Sequence, residues 1–357
     1  MSKTIYGLFL LLLSLLFFLI SGFSSYYITS SYLKDTTVET PKELEATVEP
    51  APISQTYSES SDLKFHVVQN DIELGVYDTF KEAKIIGENL ENTKIYNKNI
   101  VVWSTNGIFQ CYVDDEKNYL FENYIDAYNY ASTVENSSIY DIRSYLSLYD
   151  NSYENNITPK KLSSIPFTLS SPEFIKGSEI SNLTSLINSA GGVAVKSVLH
   201  AEISKDITPY SATGNYITYG DPNLGLVGDI TTQDGYGTFD KPLYDLLLKY
   251  LPTKALNLTK VPFSEVEKFI SNGSPVLVVT NDTFKDLTTN EIVIWHTAED
   301  NIISAPMNYI SLLLIGFDDT YVYVNNPITG QESYPLLKDD FVKSWEQFGS
   351  IAITYVK

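Results

Sequence analysis

Few residues in this chain are of a type that could do chemistry. There is one cysteine, Cys111, and there are three histidines, His66, His200 and His296. A catalytic thiol needs a base or a cationic neighbour to lower its pKa, and no histidine stands near Cys111 in the sequence. No pair of histidines has metal-ligand spacing, so neither a metal nor a cofactor is expected. His200, in VLHAEISKD, fits an exposed helical face. The acidic pairs Asp318–Asp319 and Asp339–Asp340 read as turn and helix-start residues rather than as the paired carboxylates of a glycosidase. One cysteine also rules out a disulfide framework, so stability must come from packing.

The elements that would position these residues begin with an apolar run. Nineteen uncharged residues, Ile5 to Phe23, follow Lys3. At about 1.5 Å per residue, such a run spans roughly the ~30 Å hydrocarbon core of a bilayer. It reads as a transmembrane anchor with residues 1–4 cytoplasmic and the remainder outside. A cleaved signal peptide is the rival reading, and it exports the same chain. Residues 24–62 are rich in Thr, Ser, Glu and Pro and read as a disordered acidic linker. Of the 357 residues, 44 are acidic and 24 basic, with Arg143 the one arginine. A net charge of −20 argues against nucleic acid as a partner. Hydrophobic residues make up 43%, enough for most of the chain to fold.

Residues 63–150 repeat with a period of 44. Phe65 matches Phe109, Phe80 matches Tyr124, Ala83 matches Ala127, Asn92 matches Asn136 and Tyr96 matches Tyr140. Each copy reads as a hairpin around a polar turn (QNDIE, then DDEKN), a helix, and a closing strand (IVVW, then RSYLSLY). Cys111 falls at the position of Val67, which makes it a small core residue. His66 falls at that of Gln110, which suggests exposure of both.

After a linker at 151–163, residues 164–357 show a helical stripe of Ile180, Leu183, Leu186 and Ile187 ending at a glycine pair. Short apolar runs follow, PVLVVT, SLLLIGF, YVYV and SIAITYV, which read as strands. The class is α+β. In order along this region stand SSPEFIKGSEISNLTSLIN, YGDPNLGLVGDI, DGYGTFDKPLYDLL, NGSPVLVV, Trp295, MNYISLLLIGFDDTYVYVNNPITG and FVKSWEQFGSIAI. Together they resemble the peptidase C-39-like family, relatives of the cysteine peptidases that process bacteriocins after a double glycine. The resemblance implies a papain-like cysteine-peptidase fold for 164–357.

It also implies where the reacting groups should be, and there the sequence departs from the family. Ser178, flanked by Gly177 and Glu179, stands at the cysteine position that opens the helix. Ser170 stands for the oxyanion glutamine, Asn308 for the histidine and Asn326 for the aspartate. A serine hydroxyl needs a general base, and an amide neither takes nor gives a proton near neutral pH. The expectation is a catalytically inactive pseudopeptidase, tethered at the cell surface, that binds a peptide or protein partner. Gly177, Glu179, Trp295 and His296 are its expected cleft residues. Two rivals are a peptidase with a rearranged site that pairs Ser178 with His296, and a structural surface spacer.

Overall fold

A computed structural model describes residues 64–152, 157–214 and 216–357. The expected anchor at 5–23 and linker at 24–62 lie outside the described residues. Among the described residues no helix is long and apolar enough to cross a membrane.

Two small modules come first. In one, strands β1 (Phe65–Gln69) and β2 (Ile72–Tyr77), helix α1 (Phe80–Gly87), and strands β3 (Thr93–Asn97) and β4 (Ile100–Ser104) make a sheet of order β2-β1-β3-β4. The next has β5 (Phe109–Val113), β6 (Glu116–Phe121), α2 (Tyr124–Ala131), β7 (Ser137–Asp141) and β8 (Leu146–Asp150), in the order β6-β5-β7-β8. Asn70–Asp71 and Asp114–Asp115 hold positive φ at both positions, the backbone of a tight two-residue hairpin turn. Thr79 and Glu82 cap α1 reciprocally, and Asn123 caps α2 through the Asp126 N–H. Val67 and Cys111 are both buried, each beside a strand isoleucine and a helix alanine.

Each module closes on two strands rather than one. The missed strands carry Thr93 and Asn97, or Ser137 and Asp141, at buried ends, so their alternation does not show as hydrophobicity. Arg143 to Tyr145, expected within the last strand, form the turn before β8. Gln110 is buried, donating to the Cys111 and Tyr119 carbonyls, whereas His66 is part-exposed against Glu73.

The C-terminal domain starts earlier than the sequence suggests. Strand β9 (Lys160–Lys161), inside the expected linker, pairs with the large sheet. Two residues are too few to carry a period. Gly316 permits this pairing, because a Cβ there would lie 2.8 Å from the Lys160 carbonyl oxygen. Next come α3 (Ser178–Ser189), α4 (Lys196–Glu202), β10 (Lys205–Asp206), β11 (Ser211–Thr213), β12 (Tyr216–Thr218) and β13 (Leu226–Val227). Then follow α5 (Asp240–Tyr250), β14 (Ala255–Asn257), α6 (Phe263–Ser271), β15 (Val276–Asn281), β16 (Ile292–His296) and β17 (Ile302–Pro306). The chain closes with β18 (Tyr309–Phe317), β19 (Tyr321–Asn326), β20 (Gln331–Leu337), α7 (Lys338–Glu346) and β21 (Ala352–Tyr355).

The antiparallel sheet β14-β21-β15-β18-β19-β20 divides two layers of helices. Leu313 and Ile315 of β18 join α3 and α5 in one core; Ile310, Leu312 and Leu314 join α6 and α7 in the other. A smaller sheet, β11-β12-β16-β17, adjoins an aromatic core of Tyr219, Tyr236, Trp295 and Tyr309. The two modules share these cores, the first with α3 and α5, the second with α6.

Candidate functional site

Ser178 is the first residue of α3, with Gly177 as its N-cap. No larger residue fits at 177, since a Cβ would come within 2.6 Å of Phe174. A helix N-terminus favours an anion, which is why a nucleophile is useful there. Here the hydroxyl is already committed. Ser178 Oγ accepts the Ser311 backbone N–H at 2.9 Å and donates to Glu179 Oε2 at 3.3 Å, and the residue is 2% exposed. One turn along, Asn182 Nδ2 donates to the Ser311 carbonyl at 2.9 Å and to its hydroxyl at 3.3 Å. Two α3 side chains therefore hold the N–H and the C=O of one residue in β18.

Glu179 is fully buried. Burial pushes its carboxyl up to about 8, against the opposing hydrogen bonds of its own backbone N–H and the Ser178 hydroxyl. Tyr309 is raised well above the usual phenol range by burial and by the nearby Glu179; its hydroxyl donates to the Thr238 carbonyl at 2.8 Å.

Of the other three positions expected from the resemblance, Ser170 reaches the start of α3, while Asn308 and Asn326 are bonded elsewhere. Ser170 is buried, its hydroxyl bonded to Ser181 Oγ at 2.9 Å and to the Gly177 carbonyl at 3.3 Å. Asn326 ends β19 and accepts the Ile328 and Thr329 N–H groups, which fixes the NPITG turn. Asn308 precedes β18, where its amide donates to Asp282 Oδ1 at 2.8 Å. Strand geometry shows which β18 residues meet the start of α3. Side chains alternate across a strand, and on β18 Ser311 and Leu313 turn toward α3, while Ile310 and Leu312 turn toward the opposite core. Asn308 lies just before the strand, in the bend at 307–308. The residues that meet the start of α3 are Tyr309 and Ser311, and sequence reasoning missed both.

Two expected cleft residues lie elsewhere. Trp295 is fully buried, donating its indole N–H to the Gly220 carbonyl at 2.9 Å. A bulky indole buried on β16 packs the aromatic core rather than facing a cleft. His296 stacks on Tyr216 at 4.4 Å and bonds to Asp300 at 3.0 Å, so its ring is held in the small sheet rather than at Ser178. His200 packs against Phe174, half-buried rather than exposed. Among the described residues no cluster of metal-ligating side chains occurs.

Beside the start of α3 runs a groove of about 770 Å³. Lys176 and Met307 are in its wall, with Tyr210, Tyr219 and Tyr236 from the loops around β10 and β13. Ser178, Glu179 and Asn308 are not among the residues that line it.

Residues 168–353, just over half of the chain, match the Peptidase_C39 like family. The chain belongs to that family. YvpB of Bacillus subtilis (strain 168) is 30% identical over 189 residues, covering 53% of this chain and 72% of YvpB. A crystal structure of a C39-like peptidase from Bacillus anthracis is 35% identical with a TM-score of 0.52, covering 56% of this chain and 98% of that one. Each comparison covers little more than half of this chain.

Proposed function

We propose that the C39-like domain of this chain binds a peptide without cleaving it, on a papain-like scaffold whose reacting groups have become structural. The observation that carries this reading is the hydroxyl of Ser178, bonded to the Ser311 N–H and to Glu179, with no histidine in contact. A serine without a positioned base does not attack an amide. In a serine peptidase, loss of the triad nucleophile or base costs on the order of 10⁶ in turnover. The groove next to Ser178 supports the binding half of the proposal: it is concave, and its tyrosines offer flat apolar area with a polar tip. The uncharged run from Ile5 to Phe23 supports a tether that presents this groove outside the cell.

The test is to incubate the exported portion, residues 24–357, with a broad peptide library, reading cleavage by mass spectrometry and retention by affinity capture. Retained, intact peptides whose capture falls on Tyr210→Ala are the expected result. Cleavage that disappears on Ser178→Ala would reverse the proposal. Membrane fractionation of the native host should recover the full-length chain in the pellet; a soluble form beginning near Ser24 would replace the tether with a cleaved signal peptide.

A further inference from the structure

A second cavity, of about 530 Å³, lies where both small modules meet the C-terminal domain. Helix α1, strand β4, the start of α2 and the first turns of α5 wall it. Its volume falls within the range of small-molecule sites. In a chain with a net charge of −20, this wall is balanced: four lysines face four carboxylates.

Most of those charges are occupied. Lys84 pairs with Glu122, Lys81 donates to the Leu224 carbonyl at 3.2 Å, and Asp240 accepts from Asn257 at 2.8 Å. Asp245 is different. Burial pushes its carboxyl up to about 7, with Asp240 adding to the rise and Lys84, Lys81 and Lys241 opposing it through space, while no side-chain hydrogen bond contributes. A carboxyl and lysines therefore share one cavity without closing on each other. Phe80 and Pro242 supply apolar wall between them.

We propose that this cavity takes a small zwitterionic ligand, a free amino acid or a di- or tripeptide, with its ammonium on Asp245 and its carboxylate on Lys241. The charge pattern selects that class. A lone cation would meet the lysines, a lone anion would meet Asp245 and Glu88, and an uncharged apolar molecule would leave the carboxyl without a donor. Hydrogen bonds to charged groups are the stronger ones, so both ends of the ligand contribute to affinity. The site stands apart from the groove beside Ser178 and does not depend on whether that groove binds anything.

The experiment uses the full-length chain in detergent, titrated calorimetrically with a set of dipeptides covering apolar and polar side chains. Three forms of each are compared: free termini, N-acetylated and C-terminally amidated. Free dipeptides should bind at or below millimolar concentration, and either block should weaken binding about tenfold or more. Asp245→Asn should abolish binding while the ligand-free melting temperature is retained. If Asp245→Asn fails to fold, the exposed Lys241→Met supplies the second reading, again an expected loss of about tenfold. No binding by any free dipeptide, equal binding by the N-acetylated forms, or binding insensitive to both substitutions would each overturn the assignment.

Discussion

Replacing Ser178 with alanine separates a structural serine from a catalytic one. The substitution removes the acceptor of the Ser311 N–H, a 2.9 Å bond in a site with 2% exposure. A buried polar group left without its partner costs about 1–3 kcal/mol, and the longer bond to Glu179 adds about 0.5–1 kcal/mol. Ser178→Ala should therefore lose about 2–3 kcal/mol of stability, or about 4–10 °C in melting temperature for a body of this size. Urea denaturation followed by circular dichroism measures it, with peptide cleavage assayed in parallel. Ser178→Cys should lose less, since sulfur is a weak acceptor that partly replaces the hydroxyl, and it should gain no peptidase activity because no histidine faces position 178. A Ser178→Ala variant within about 0.5 kcal/mol of the natural protein would refute the structural role, since that is the range of ordinary surface changes.

Glu179→Gln should alter the pH dependence of stability. With its folded pKa raised to about 8 from 4.5, Glu179 binds more protons folded than unfolded between those values, so its contribution to stability falls as pH rises from about 4.5 to 8. The difference between variant and natural protein should grow in the variant's favour by an amount on the order of 4 kcal/mol across that window, measured by urea midpoints at pH 5 and pH 8. Arg143→Met should cost about 3–5 kcal/mol in thermal denaturation, because it strands a fully buried Asp141 and the Ala255 carbonyl that Arg143 ties to it. Cys111, buried and pushed up to about 11, should resist thiol reagents at pH 8 until urea unfolds the second module; rapid labelling of the native protein would contradict that burial.

The family and the α+β class were legible in the chain because core and turn residues carry them locally. The helical stripe at Ile180, Leu183, Leu186 and Ile187 is buried as its spacing requires, and the runs VLVVT and YISLLLIGF are strands buried along their length. The start of a helix at Ser178 was legible for the same reason, since Gly177 and the apolar stripe after it fix its place. Legibility ended where a property depends on which way a side chain turns or what faces it from a distant segment. Asn308 differs from Tyr309 by one residue, yet it lies in the bend before β18 and bonds to Asp282, and only the packing of α3 against β18 shows which strand residues matter. Trp295 and His296 are adjacent in sequence; one is buried and the other part-exposed, again by alternation on β16. The cavity around Asp245 had no sequence signature at all, because its walls come from three bodies brought together by shared apolar cores. Residue types and short-range spacing set what each segment can form. Long-range burial decided which of its groups face one another, and the chemistry open to Ser178 and Asp245 rests on that choice.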